Sequence, residues 1–506
     1  MILGVIRGIL FLGFLVTSWM GIFLVSILLL PFSCVIVFAR RIEEVLYSIL
    51  YGAVHFKVEE TPWLNDSAKN RTDINGLLML DGKITAKTFQ DLVNRKMVQS
   101  RNKDTGRLLY PRATRYVHTG FLNYYWLSEK NFKLKEHVYE WSANPCRSRT
   151  QLQDLVSTLA ERPLRTRENR SPWEFILVHC KDIDGAMKTG IVIRISHCLA
   201  DGSSLIYFLI NQLCEDSGNN GYLAGASHEF TWFQRTAIYL KSSVLYPYNM
   251  ARQIYPQWAK ASSLLCTEES LSGHKKYIYA RPISLDLVKM IKTKLNVTVN
   301  DVILGCLATS LHNYFRKKNE RAPDNFITCV PLDTRLSINE AKEFGNKINV
   351  TMLALPTSSG DSIRNIMEVH ERMKARKQSY EAMSIRFGLR IAASILPNFL
   401  LQKVLKMSIR NSPMVVSNVQ GPTHELILAG RKLTSLVFWP PGKNHLGSSV
   451  SIMSYNGSIY IGALSDVSVT KHPEKLVEDL PLIIMSLAQS FVVNKRSLEG
   501  TGTKST

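Results

Sequence analysis

The hydrophobic pattern is most extreme at its start, where residues 8–38 include no charged side chain. Wound as a helix they would extend about 46 Å against a bilayer core about 30 Å thick, so one tilted or partly interfacial span fits and two do not. Pro31 is expected to kink or end that helix near its far side, or to turn a re-entrant hairpin. Signal h-regions run to roughly 7–15 residues before a small-residue cleavage site. This stretch is far longer and ends in Phe38-Ala39-Arg40-Arg41, which favours an uncleaved anchor. With Arg7 ahead of it and Arg40 and Arg41 behind, the positive-inside rule favours a cytoplasmic C-terminal side. Residues 42–56 then read as an amphipathic helix, lying on the membrane surface or packed on the body.

The rest of the pattern alternates between strand and helix periods. Residues 74–80 form an apolar run that ends at the turn Asp81-Gly82, and residues 85–98 put Phe89, Leu92, Val93 and Met97 on one helical face. Residues 173–179 and 190–197 read as strands joined through Asp184-Gly185, and 203–214 as a helix. Residues 218–229 are rich in Gly, Asn, Ser and Ala and read as a linker. An aromatic connector follows over 230–258; it either packs over the two halves or faces lipid. In the second half, 277–280, 325–331, 349–355, 433–439, 448–455 and 458–463 read as strands, with helices at 285–294 and 300–315. Residues 383–409 read as two basic amphipathic helices broken before Pro397, either packed on the sheet with a solvated face or offering lipids an entry surface. Strands interleaved with helices in both halves mean α/β layers, and paired halves commonly place a site at their junction. The expected divisions are 1–56 for the anchor and juxtamembrane helix, 57–217 for the N-terminal half, 218–274 for the connector, 275–490 for the C-terminal half and 491–506 for a flexible tail.

Composition narrows the function classes. Over 506 residues, 45% hydrophobic content suits a globular body and is too low for a many-helix transporter. The eight cysteines form no CxxC pair and no zinc-ligand spacing, which argues for reduced thiols facing the cytosol. The sequons at Asn65, Asn70, Asn296, Asn349 and Asn456 are too common by chance to fix sidedness. A net charge of +21 is spread without a groove-reading motif, so nucleic acid is not the expected partner; anionic lipid or a phosphorylated co-substrate fits as well as a merely solvated surface. GxGxxG, GxSxG and HExxH are all absent, and Gly76 to Lys83 fails as a P-loop, having five residues between its glycines and Ile84 after its lysine.

The informative segment is IVIRISHCLADGSSL, in which a buried strand pattern runs into His197. An imidazole held at a strand end can act as a general base near neutral pH. Asp201 could orient the loop through a salt bridge or support the imidazole directly, and Gly202 would ease the turn. Alone, HxxxDG is a weak motif, and a lone histidine at a strand end is usually structural.

Several further blocks stand in order along the chain: Phe132 to His137, Ser171-Pro172-Trp173-Glu174, Thr298-Val299-Asn300-Asp301-Val302, Pro331 to Arg335 with Phe344-Gly345-Asn346, Ser417-Asn418-Val419-Gln420-Gly421-Pro422, and Ser454-Tyr455-Asn456-Gly457 with Asp466. Together with Ser196 through Gly202, set against HHxxxDG, they make the chain resemble the wax ester synthase/diacylglycerol acyltransferase family over roughly residues 70 to 485. The departures are Ser196 in place of the first histidine, Gln420 in place of a proline, and Trp173 following directly on Pro172 where the family has Pro-Leu-Trp-Glu.

That resemblance implies an α/β fold of two chloramphenicol-acetyltransferase-like halves with the site between them, plus the N-terminal membrane helix. It implies an acyl-CoA-dependent O-acyltransferase esterifying a long-chain alcohol, diacylglycerol or both. His197 would be the base, acting without an acyl-enzyme. Acyl-CoA would be a co-substrate, with no metal and no permanently bound cofactor. The body would be cytosolic, at the endoplasmic reticulum or plasma membrane. Asn300 is the leading candidate to meet the oxyanion, although Asn300 and Asp301 equally fit simple N-capping. Asp201 would pair with an arginine that the sequence does not identify, Arg194 being near in sequence. Ser196, Ser417 and Asn418 are candidates for contact with substrate. Cys198 reads as a small buried side chain. The alternative is a catalytically silent, lipid-binding or scaffolding member of the same fold, for which the loss of the first histidine leaves room.

Overall fold

The computed structural model describes residues 2–64, 67–142, 144–164, 169–181, 184–215, 230–254, 264, 269–409 and 412–500. The expected linker at 218–229 lies outside the described residues. The chain starts with α1 (Ile2–Tyr51) and β1 (Val54–His55), then β2 (Asp73–Asp81), α2 (Ala86–Val93), β3 (Arg115–Thr119), β4 (Tyr124–Ser128), β5 (Val138–Glu140) and α3 (Arg149–Glu161). Next come β6 (Trp173–Lys181), β7 (Met187–Ser196), α4 (Gly202–Phe208), α5 (Trp232–Val244) and α6 (Tyr246–Ile254). The second half holds β8 (Lys275–Tyr279), β9 (Ile283–Ser284), α7 (Leu285–Leu295), α8 (Val299–Lys317), β10 (Asn325–Asp333), β11 (Ile348–Pro356), α9 (Ser362–Gln378), α10 (Glu381–Ile395) and α11 (Asn398–Ser408). It ends with β12 (Met414–Gln420), β13 (Ile427–Leu428), β14 (Arg431–Trp439), β15 (Ser448–Tyr455), β16 (Ser458–Asp466) and α12 (Leu480–Gly500).

α1 corrects two expectations. It runs unbroken through Pro31, and residues 42–51 are its last turns rather than a separate helix. Proline removes one backbone donor, and the hydrogen bonds around it keep the helix continuous. Thr17, Ser26 and Ser33 turn their hydroxyls back to carbonyls four residues earlier, at 2.9, 2.7 and 2.8 Å, so these polar groups are satisfied within the helix. Gly52, at φ +59°, ends the helix in the left-handed conformation. Ile9–Tyr51 is long and apolar enough to cross a membrane.

Two large sheets organise the body, and a third, three-stranded sheet runs β1-β4-β3. The C-terminal sheet runs β11-β10-β12-β15-β16-β8, with β9 also paired to β16. Its core includes α8, buried on all sides from Val302 to Leu311. Gly305 lets α9 approach: a Cβ there would lie 2.5 Å from the Ile366 Cα. The other large sheet runs β13-β14-β2-β7-β6-β5. Its strands β13 and β14 come from the chain's second half, which the sequence assigned wholly to the C-terminal unit. β14 pairs antiparallel with β2, Leu436 opposite Leu78 and Trp439 opposite Asn75. An apolar β2 edge left open would be an aggregation-prone template, and β14 closes it. α12 also continues to Gly500, past the position where a flexible tail was expected, because no Gly or Pro follows Pro481 until that residue.

Candidate active site

β7 brings His197 to the seam between the halves. Its backbone is fixed on both sides: Ser196 N–H donates to the Pro172 carbonyl at 2.9 Å, and His197 N–H to the Thr72 carbonyl at 2.8 Å. The side chain is equally constrained. Asn346 Nδ2 donates to the His197 carbonyl at 2.7 Å, which fixes the orientation of the amide. Its Oδ1 therefore faces His197 Nδ1 at 2.8 Å, and an amide oxygen only accepts. Nδ1 must carry the proton, leaving the Nε2 lone pair unprotonated. Trp63 stacks on the imidazole, centroids 3.7 Å apart and planes 8° apart. Burial is the largest cause lowering the His197 pKa, to about 4, with Asp201 and the Asn346 bond opposing and Lys443 adding to the decrease. The ring is neutral at neutral pH.

Asp201 caps α4, accepting from Ser204 N–H and Oγ at 3.0 and 2.8 Å. Its arginine is Arg335, whose Nη2 donates to both carboxylate oxygens at 2.9 Å. Arg194, the nearer arginine in sequence, is buried against Glu174 instead. Burial would raise the Asp201 pKa, but Arg335, the Lys347 N–H and Ser204 hold it below the usual carboxylate value. Among the described residues Asp201 makes no hydrogen bond to the imidazole, so of the two expected roles it takes the loop-holding one. Residues 345–347 form the other half of the clasp: the Gly345 carbonyl accepts from Asp201 N–H at 3.1 Å, and Lys347 N–H donates to Asp201 Oδ2 at 2.8 Å.

Gly202 does not supply a special turn. It is the first residue of α4, and its φ is not among the positive values. A Cβ there would meet Val419 Cγ2 at 3.7 Å, an ordinary contact across the seam. Of Asn300 and Asp301, only Asp301 takes part in capping α8, accepting from Thr298 N–H at 2.9 Å, and neither is the N-cap residue. Thr298 is, with Asp301 closing a capping box and also meeting His370 Nδ1 at 2.8 Å. Asn300 Oδ1 accepts from Asn418 Nδ2 at 2.9 Å. Ser196 Oγ lies 3.3 Å from Cys198 Sγ, and both are buried. Ser417 is buried in β12 opposite Ser451.

His197 lines an open cavity of about 1350 Å3, the solvent at its mouth included. Its walls are mainly apolar and include Trp63, Met250, Leu389, Leu401, Val404 and Leu405. Asn300, Ser417 and Asn418 are not among its described lining residues. A second, smaller apolar cavity, about 640 Å3 with the solvent at its mouth included, involves Gly202, Ile195, Leu205, Val419 and Phe438. Trp63, Arg335 and Asn346 were missed as site residues. Arg335 and Asn346 stood inside quoted blocks without a role, whereas Trp63 lies in a short 3-10 turn, residues 58–64, with no periodic signal.

Residues 76–243 match the family model described as the wax ester synthase/diacylglycerol acyltransferase catalytic domain, and residues 344–483 match the WS/DGAT C-terminal domain. A probable diacylglycerol O-acyltransferase of Mycobacterium tuberculosis is 25% identical over 401 residues, covering 73% of this chain and 83% of that one. Wax ester synthase/diacylglycerol acyltransferase 7 of Arabidopsis thaliana is 24% identical over 386 residues, covering 67% and 79%. In fold, the chain is similar to the wax ester synthase/diacylglycerol acyltransferase from Marinobacter aquaeolei VT8, with TM-score 0.59 and 16% identity over 86% of this chain and 99% of that one. It is also similar to a trichothecene 15-O-acetyltransferase from Fusarium sporotrichioides, with TM-score 0.57 and 12% identity over 86% and 95%.

Proposed function

This chain belongs to the wax ester synthase/diacylglycerol acyltransferase family and is an acyl-CoA-dependent O-acyltransferase, and from that premise we propose that His197 is its general base and that its acceptor is a long-chain alcohol or diacylglycerol held at a membrane. The observation that carries this is an imidazole in the wall of a mainly apolar cavity whose Nδ1 is engaged by Asn346, which leaves Nε2 as its basic nitrogen. Nε2 takes the acceptor's hydroxyl proton as the oxygen attacks the thioester carbonyl. The carbon–sulfur bond then breaks, and the imidazolium returns the proton to the departing thiolate. No acyl-enzyme forms, because the base acts on the acceptor itself. Alkyl chains lie in the apolar cavity.

Asn300 supplies a donor to the oxyanion. Asn418 Nδ2 donates to its Oδ1, so Nδ2 is the group Asn300 has left to donate, and it would have to reach the thioester from outside the described lining of the cavity. Asp201 holds the loop, and Asp301 anchors the helix that carries Asn300. Ser196 leaves the reaction intact, since the ring is positioned by Asn346 and Trp63 rather than by a preceding histidine. α1 anchors the enzyme with its body on the cytoplasmic side.

Purified full-length protein in detergent, given labelled acyl-CoA with competing long-chain alcohol and diacylglycerol, will form labelled ester, and chromatography will show which acceptor is preferred. His197→Ala will abolish ester formation while the circular-dichroism spectrum and melting are retained. Undiminished ester formation in that variant would remove the base assignment, whereas no labelled ester from the wild-type chain would favour a silent, scaffolding role.

A further inference from the structure

The cavity-walling helices α10 and α11, and α5 packed against α10, carry an apolar surface that none of the described residues covers. On α5, Trp232 is 70% and Phe233 77% exposed, with Leu240 and Val244 beside them on the surface. On α11, Met407 is 63% exposed. Val404 is both exposed on α11 and part of the cavity wall, so the outer surface and the cavity are separated there by one side chain. Trp232 and Phe233 meet edge-on with centroids 4.9 Å apart, and large apolar groups exposed on helices that flank α10 mark an interaction surface rather than chance exposure.

Two observations identify the occupant. The first is continuity with α1. Trp19 Nε1 donates to the Val244 carbonyl at the end of α5 at 3.2 Å, and Phe11 meets Tyr248 of α6 edge-on with centroids 5.1 Å apart. Arg40 caps the end of α10, donating to the carbonyls of Ala393, Ser394 and Leu396. The apolar helix is thus fixed alongside the exposed face. The second is charge. Across α5, α6, α10 and α11 the only carboxylate is Glu381, which is fully buried against Arg376, whereas Lys241, Lys403 and Lys406 are exposed. An apolar face rimmed by lysines and free of surface acid fits an anionic lipid surface.

We infer that α5, α10 and α11 form a second membrane-contact face beside α1, and that the lipid acceptor enters the cavity sideways from the bilayer between α10 and α11, past Val404. This rests on the reading above that the acceptor is a membrane lipid. The inserted face lets a water-insoluble acceptor reach His197 without crossing water, while acyl-CoA reaches the seam from the aqueous side.

The contact face can be tested without catalysis. The full chain carrying Cys34→Ser and Cys266→Ser is spin-labelled at Phe233→Cys or Met407→Cys in phosphatidylcholine/phosphatidylserine vesicles. Asp286→Cys, on the exposed surface of α7, is the control. Labels at 233 and 407 will be accessible to oxygen and shielded from a water-soluble nickel chelate, and the control will show the reverse. Equal chelate access at all three sites overturns the proposal, as does shielding accompanied by label–label dipolar broadening, which would mean a second copy covers the face. The route is tested by Phe233→Glu with Met407→Glu. Esterification of a vesicle-borne acceptor should fall about tenfold in kcat/KM while that of a short water-soluble alcohol holds within about twofold. An equal loss on both acceptors overturns the lateral route. If the wild-type chain esterified neither acceptor, the acyltransfer reading and the route that depends on it would fall together, and the spin labels would still decide the contact face.

Discussion

Asn346 holds His197 at two points, its Nδ2 on the backbone carbonyl at 2.7 Å and its Oδ1 on the ring at 2.8 Å. A single amide thus sets both the rotation of the imidazole and the nitrogen that carries its proton. Asn346→Ala should lower kcat about 10- to 100-fold with little change in KM, since general-base catalysis contributes roughly 10²- to 10⁴-fold and the variant misplaces the base without deleting it. Asn346→Asp puts a carboxylate beside the imidazolium, which favours the charged form, so the acid limb of the pH–rate profile should move upward. A merely structural role for Asn346 would leave that limb in place.

The wild-type profile follows from the same burial. With the His197 pKa lowered to about 4, kcat/KM should stay level from neutral pH down to about 5 and fall only near pH 4. Stability behaves differently. The unfolded histidine binds its proton near the ordinary value of about 6.5, while the folded one resists it. The contribution is therefore present above pH 6.5 and lost progressively as pH falls towards 4. His197→Ala should lose less melting temperature between pH 7 and 4.5 than the wild type does. An equal loss in the two proteins would show that the folded ring titrates normally.

How much of this was legible depended on range. The run into His197 could be read because a buried strand announces itself locally, and α10 and α11 because Pro397 divides a basic amphipathic pattern. The partners of the site could not be read in that way. Arg335 lies 134 residues from Asp201, and Asn346 lies 149 from His197, so no local period connects them. Nearness in sequence pointed to Arg194, but that side chain leaves β7 towards Glu174 on the neighbouring β6. The pairing of β14 with β2 was hidden for the same reason, because strand periodicity says which face is apolar and not which sheet receives it.

The Arg335–Asp201 pair is wholly buried, so its partners are not interchangeable with solvent. Arg335→Met should destabilise the fold by about 3–5 kcal/mol, because it strands an ionised carboxylate in the seam. Adding Asp201→Asn removes that charge and should recover part of the loss. Chemical denaturation of both single variants and the double variant closes the cycle. Strictly additive losses would mean that the pair is not coupled.

Asn300→Ala should reduce kcat about 10²- to 10³-fold where its Nδ2 meets the developing oxyanion. Asn418→Ala should act in the same direction more weakly, since it only releases the orientation of that amide. KM for acyl-CoA should change little in either case, because the donor matters most in the transition state. Full activity in Asn300→Ala would leave that residue as part of the first turn of α8 and nothing more.

The two glycines at close approaches separate backbone need from packing need. Gly202 has ordinary φ and a Cβ position 3.7 Å from Val419, so Gly202→Ala should fold normally and melt within a few degrees of the wild type. At the start of α4 alanine can even gain some of the roughly 1 kcal/mol by which it outranks glycine in helices. Any loss should instead appear as altered chain-length preference, because Gly202 lines the second apolar cavity. Gly305 is the opposite case. Its Cβ would sit 2.5 Å from the Ile366 Cα, and α8 and α9 would have to separate. Gly305→Ala should therefore destabilise by about 1–3 kcal/mol as an overpacked core does, with His197 chemistry unchanged in whatever fraction folds. Melting curves and acyl-chain competition on the two variants will tell these effects apart: a strongly destabilised Gly202→Ala would show that the glycine of HxxxDG is required by the backbone after all.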